Sequence, residues 1–171
     1  KEELDLTKNT QPAIFLISYS IFHTVKKEFN LDLSKARYFA GHSLGEYSAL
    51  ACSGSITFEQ TIKLLQIRGK SMQSAVPKGQ GGMIAVLGSE IEKINEIINF
   101  NKDKFTCYVA NDNSVGQVVI SGNMNDLNNF SEELKNNKIK NIKLPVSAPF
   151  HCKLMRSATD KMREEILKIE F

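Results

Sequence analysis

The sequence predicts an α/β protein in two parts, and three observations carry that reading. The first is Gly41-His42-Ser43-Leu44-Gly45, a G-x-S-x-G pattern with β-prone residues running in and helix formers running out. The second is a β-α-β-β-α-β succession within 81–146, the ferredoxin-like arrangement, complete in one stretch. The third is helical periodicity on both sides of that stretch, which makes it an insertion. The larger part is then 1–80 with 147–171, and the small subdomain is 81–146.

Residues 1–9 are polar and predict a short helix or loop. Thr10-Gln11-Pro12 starts a helix, because Thr10 can cap and Pro12 suits a first turn. That helix covers 12–28, with a core stripe of Ile14, Ile17, Ile21 and Val25, widened by Phe15 and Phe22. Gln11 is at its mouth and reads by default as a loop residue; His23 lies off the stripe, toward solvent. Residues 30–35 form a turn, and 36–40 form the strand that feeds Ser43.

A serine on a sharp strand-to-helix turn has its hydroxyl pushed out of the sheet. The two glycines remove side chains that would clash in so tight a bend. The helix starting at Leu44 points free N–H groups and its positive dipole end at the reacting centre, so Leu44 N–H can donate to an oxyanion. The plainer reading is a Gly-flanked turn with a solvated serine; the strand before and the helix after favour a nucleophile.

That helix ends near Ser53-Gly54. Thr57-Phe58-Glu59-Gln60 is a capping box, and its helix runs to Ser74 with Phe58, Ile62, Leu65 and Met72 inward. Arg68 falls on the same stripe. A guanidinium there is costly unless it meets an anion or carbonyls. A structural salt bridge, or a stem that snorkels outward, accounts for the spacing equally well. Residues 76–81 break the helix and read as a linker.

The small subdomain predicts strands at 83–87, 105–110, 117–121 and 139–146 and helices at 89–99 and 125–136, the first with Ile91, Ile94 and Ile98 inward. Asn111-Asp112-Asn113-Ser114 is a turn. The chain leaves through Pro145-Val146-Ser147-Ala148-Pro149-Phe150-His151-Cys152, a loop stiffened by two prolines ahead of a helix at 153–169. A histidine beside an aromatic can simply pack. Of the three histidines, though, His151 is the best base for Ser43. His42 is Ser43's neighbour across a tight turn and points away, and His23 is on the wrong side of its helix.

Composition narrows the classes. At 171 residues, 42% hydrophobic and 24% charged, the chain suits one globular domain with an inserted subdomain. A net charge of +3 is too weak for nucleic acid and suits an acidic partner. Cys52, Cys107 and Cys152 are far apart with no CxxC, which predicts neither a disulfide framework nor a zinc site, and a reducing compartment. No apolar run is long enough to span a bilayer. The first residue is Lys rather than Met, and the expectation is a piece of a longer chain.

Several segments together resemble the malonyl-CoA:acyl carrier protein transacylase family of fatty acid synthesis. They are Thr10-Gln11-Pro12-Ala13, Gly41-His42-Ser43-Leu44-Gly45-Glu46-Tyr47-Ser48-Ala49-Leu50 and Arg68-Gly69-Lys70-Ser71-Met72-Gln73. Ala110-Asn111-Asp112-Asn113, Gly116-Gln117-Val118-Val119-Ile120-Ser121-Gly122 and Val146-Ser147-Ala148-Pro149-Phe150-His151 follow in the family's order. The resemblance implies an α/β hydrolase-like large domain, a ferredoxin-like small one, and an active site in the cleft between them. It implies that Ser43 attacks malonyl-CoA, that His151 is the base, and that Leu44 N–H is half of the oxyanion hole. Arg68 would pair with the malonyl carboxylate, and Gln11, Met72, Asn113 and Phe150 would complete the substrate site. In the resembled family an aromatic at the place of Phe150 often accompanies malonyl rather than methylmalonyl use.

The resemblance further implies that the acceptor is the phosphopantetheine thiol of acyl carrier protein, and it implies no cofactor or metal beyond these substrates. The expectation is a monomer, cytoplasmic or in a reducing organelle lumen, that meets neither nucleic acid nor membrane. The family's N-terminal strand with its Gly-Gln-Gly segment is not in this sequence, nor is the C-terminal part that orients the histidine. The whole protein should be nearly twice as long. Competing readings are a serine esterase or thioesterase of the α/β hydrolase type, an acyltransferase domain from a synthase, and a carrier-docking module without catalysis. The inward Arg68 and the inserted subdomain argue against an esterase.

Overall fold

Burial, more than helix propensity, decides where each element starts and which face it presents. The structure is a computed structural model that describes residues 2–171; Lys1, the first of the polar stretch 1–9, lies outside the described residues. Two units emerge, Lys1–Ser71 with Asp160–Phe171, and Met72–Thr159.

In the first unit α1 spans Thr7–Glu28, so it begins ahead of the start expected at Pro12. Thr10 is inside the helix and caps nothing: its hydroxyl donates to the carbonyls of Leu4 and Leu6. Gln11 is therefore a helix residue, not a loop residue, and it is buried. The stripe expected inward is turned outward. Ile17 is 61% exposed and Ile21 58%, and Ile14 and Val25 are exposed too. The buried line is Thr7, Gln11 and Phe15, one residue every helical turn and nearly a quarter-turn away from the apolar stripe. It is fixed by Phe15, whose ring stacks on Phe58 at 5.4 Å and meets Tyr19 at 5.5 Å. Burying that ring completely stabilises by about 2–3 kcal/mol.

Residues 36–40 form neither helix nor strand among the described residues, so the expected strand is absent there. Then α2 (Gly45–Ser53) ends on Gly54 at φ +84, the left-handed cap that glycine adopts without penalty. α3 (Phe58–Ala75) starts with the expected box: Gln60 N–H donates to Thr57 Oγ1 at 3.1 Å, and Thr57 N–H to Gln60 Oε1 at 2.8 Å. Phe15, Ala51 and Leu65 form one core with Tyr47, Phe58 and Ile62 packed on it. Ile56, Leu64 and Met162 form a second.

The second unit holds a four-stranded sheet in the order β2-β3-β1-β4, from β1 (Gly81–Leu87), β2 (Cys107–Ser114), β3 (Gln117–Asn123) and β4 (Lys140–Lys143). Every pairing is antiparallel. With α4 (Ile91–Phe100) and α5 (Met124–Asn136), the element order is β-α-β-β-α-β as expected. One face of the sheet packs Ile84, Val86, Val118 and Ile120 on Ile94, Ile97, Phe130 and Leu134 of the helices. The other carries Met83, Ala85 and Val119.

β2 runs through the residues expected as a turn. Register shifts at Val109/Asn111 and Asp112/Ser114 absorb the polar run, and the reversal falls at Gly116, with φ +75. The fourth strand is only Lys140–Lys143, and the last helix divides into a short 3-10 turn (Lys153–Met155) and α6 (Arg156–Ile166). Met72 and Ala148 pack with Met155 and Ala158 in this unit, with Phe150 against them, which carries residues beyond 81–146 along with the sheet.

Candidate active site

The turn at Ser43 is built by backbone contact. A Cβ at Gly41 would lie 1.9 Å from the Gly45 carbonyl oxygen, so only glycine fits. A Cβ at Gly45 would meet nothing within 4 Å, so the second glycine is not required by the bend. Ser43 itself sits at φ +55, in the left-handed region that non-glycine residues rarely occupy. Gly45, Glu46 and Tyr47 donate their N–H groups to the carbonyls of His42, Ser43 and Leu44. Leu44 N–H, directly after the serine, takes no part in that turn.

Arg68 projects from α3 and is half-buried. Its Nη2 donates to Ser43 Oγ at 3.1 Å, and its Nη1 donates to Gln11 Oε1. The guanidinium carbon is 5.7 Å from the centre of the Tyr47 ring, within reach of the ring's negative face. So the Arg on an apolar stripe meets a carboxamide oxygen, a hydroxyl and an aromatic ring. Burial lowers its pKa, with Tyr47 and Glu46 pulling the other way. Burial raises the Tyr47 phenol, opposed by Arg68. Ser43, Arg68 and Gln11 are thus brought together in one unit. Tyr47 completes the group and is not among the residues the sequence singles out; its spacing of four residues from Ser43, about one helical turn, is the available clue.

His151 belongs to the second unit, exposed and at φ +56. Its loop is pinned from several sides. Phe150 carbonyl accepts from Ser121 Oγ, Cys152 Sγ donates to the Pro149 carbonyl at 3.1 Å, and Met155 N–H donates to the Cys152 carbonyl at 3.0 Å. Pro149 lies so close to Gly81 that a Cβ there would be 2.4 Å from its ring. Phe150 packs on Met83, Ala85 and Val119 and also on Met72. Met72 is buried among those neighbours. Asn113 is exposed near the hairpin tip, its amide 3.4 Å from Gln117 Oε1. Gln117 and Ser121 are four residues apart on β3, about 13 Å, so Asn113 is not grouped with Phe150. His23 and His42 are exposed.

Among the described residues no group of three His, Cys, Asp or Glu could hold a metal, and no helix is long and apolar enough to cross a membrane. All three cysteine thiols are pushed up by burial, Cys107 to about 12.

The chain belongs to the acyl transferase domain family, whose profile matches residues 1–171. It is 39% identical over 171 residues to the malonyl CoA-acyl carrier protein transacylase of Salmonella typhimurium, across 99% of this chain and 54% of that protein. The malonyl CoA-acyl carrier protein transacylase structure from Clostridium perfringens is similar at TM-score 0.85 and 41% identity, over 98% of this chain and 52% of that one. A structure of a type II PKS acyl-carrier protein in complex with its malonyl-transacylase also matches, at TM-score 0.90 and 40% identity, over 99% of this chain and 54% of that one. The chain spans about half the length of these relatives.

Proposed function

We propose that this chain carries the nucleophile and the carboxylate-binding arginine of a malonyl-CoA:acyl carrier protein transacylase. The observation that carries the reading is the guanidinium of Arg68 on the hydroxyl of Ser43. A fixed cation beside a nucleophile suits an acyl group with a free carboxylate, and an esterase has no use for it. Ser43 Oγ attacks the thioester carbonyl and gives its proton to the His151 ring. Leu44 N–H donates to the oxyanion. The C–S bond breaks, CoA leaves as the thiol with the proton from His151, and malonyl-Ser43 remains. The phosphopantetheine thiol of the carrier protein then attacks, its proton passing through His151 back to Ser43. Exclusion of water protects the acyl-serine. No cofactor enters beyond the two substrates.

The fold is read as an α/β hydrolase-like large domain with an inserted ferredoxin-like small one, and the β-α-β-β-α-β element order from Gly81 to Lys143 supports the second part. The acidic carrier is a natural partner for a chain of net charge +3, and the carrier complex among its relatives supports that choice. Arg68→Ala is expected to weaken malonyl transfer by about 2–5 kcal/mol and to leave acetyl transfer unchanged or improved. kcat/KM for malonyl-CoA and acetyl-CoA in both proteins checks this. Equal losses on the two substrates would make Arg68 structural.

Phe150 directly precedes His151, and it is read as the residue that limits bulk at the acyl α-carbon. One methyl in a tight apolar site is worth roughly 1–3 kcal/mol, so malonyl should be preferred over methylmalonyl by about 10–200-fold. Phe150→Ser is expected to narrow that ratio, chiefly by raising methylmalonyl transfer. Because the ring packs on Met72 and on the sheet, the variant should also melt lower. Competition between the two CoA esters, with a melting curve on the same preparation, reads both effects; an unchanged ratio in folded protein removes Phe150 from the substrate.

A further inference from the structure

A guanidinium on a long stem has many rotamers, and a carboxylate is bound in a bidentate way only by one that is already aimed. We propose that Thr7, Gln11 and Gly69 are positioning residues for Arg68, holding its guanidinium toward Ser43 before any substrate arrives. The proposal rests on the reading of Arg68 as the carboxylate partner.

The amide of Gln11 has an accepting end and a donating end. Arg68 can only donate, so the carboxamide oxygen must face it. That orientation sends the Gln11 NH2 group the other way, where it needs an acceptor. Thr7 supplies one: Gln11 Nε2 donates to Thr7 Oγ1 at 2.8 Å, one helical turn earlier on α1. Gln11 is 3% exposed and Thr7 is 7%, so water does not compete freely for either bond. A flipped amide would set N–H against N–H at Arg68, whereas the Thr7 hydroxyl can accept or donate. Arg68 therefore fixes the sense of the chain Thr7–Gln11–Arg68–Ser43, and Thr7 anchors the far end of the Gln11 amide.

The reach of that chain depends on how closely α1 approaches α3. Gly69, directly after Arg68, is the point of approach. A Cβ there would lie 2.7 Å from Lys8 Cα and 2.8 Å from the Thr7 carbonyl oxygen. These are backbone atoms, so any side chain at 69 has to move α1 itself. Moving α1 away withdraws Gln11 from Arg68. The Arg-Gly pair is thus one device, the arginine carrying charge and the glycine admitting the helix that aims it.

The test is kcat/KM for malonyl-CoA and acetyl-CoA in the full chain, with melting curves. Thr7→Val keeps the shape and removes the hydroxyl; it should lower the malonyl-to-acetyl ratio by about 3- to 10-fold, and Thr7→Ser should restore it. Gln11→Leu should lower the ratio roughly 10- to 100-fold, the range for a hydrogen bond to a charged group. Gly69→Ala should lower it in the same direction. If Gln11→Leu does not fold, the isosteric Gln11→Glu decides: a carboxylate at 11 competes for Arg68 and must raise KM for malonyl-CoA more than for acetyl-CoA. The proposal is overturned if these variants leave the ratio unchanged, or depress both substrates equally, while Arg68→Ala remains selective against malonyl. If Arg68→Ala itself leaves the ratio unchanged, the carboxylate reading fails first, and the positioning role fails with it.

Discussion

Ser43→Ala abolishes the malonyl mass adduct that forms on brief exposure to malonyl-CoA. The expectation follows from the turn at Gly41 and the left-handed backbone at 43, which present one hydroxyl and fix it on Arg68. Competing nucleophiles are poor. Burial raises the thiols of Cys52, Cys107 and Cys152, so little thiolate exists near neutral pH. Intact-mass spectrometry followed by peptide mapping of the full chain reads the outcome. An adduct that survives in the variant, or that maps to Cys52 or Cys152, would remove Ser43 from the chemistry.

His151→Ala slows both acylation and transfer to the carrier, by roughly 10²- to 10⁴-fold for a lost general base. Both half-reactions suffer because one ring moves the proton in each. The residue is exposed and its loop is held by Phe150, Cys152 and Pro149, so removing the ring leaves the anchors in place. At φ +56 alanine is less suited to the backbone than asparagine. His151→Asn therefore serves as a second variant, and it should be as slow with a higher Tm. Stopped-flow acylation and carrier-transfer rates check both. Native rates in either variant would shift the role of base to His42.

The parts of the site that were legible in the sequence are those made by local geometry. Gly41 and Ser43 read as an elbow because β-prone residues, a tight bend and helix formers follow one another within a few residues. Thr57 and Gln60 read as a box because both bonds close within one turn. The β-α-β-β-α-β succession was legible because its helices repeat at helical spacing and its strands are short apolar runs bounded by turn signals. What failed depends on distant chain. The apolar stripe of α1 pointed to Ile14, Ile17, Ile21 and Val25, yet the face turned inward begins with Thr7 and Gln11. Periodicity marks the apolar face of a helix but not the polar residues that another face buries, and in this chain, which spans about half the length of its relatives, it is the Thr7–Gln11–Phe15 face that is buried. Residues 36–40 have strand composition, but a ladder needs a neighbour, and composition does not supply one. Asn111 to Ser114 look like a turn until the bulges that fold them into β2 are seen.

Ser43 and His151 share one backbone feature, a φ near +55 on a residue with a side chain. Each such placement costs about 1–2 kcal/mol relative to an ordinary backbone. Selection for heat resistance alone would therefore drive both positions toward glycine, and the more stable progeny would lack the proposed nucleophile and base. The proposed activity and thermostability then have to be selected together in this chain, because the two side chains assigned to the chemistry stand where the fold would be better off without them.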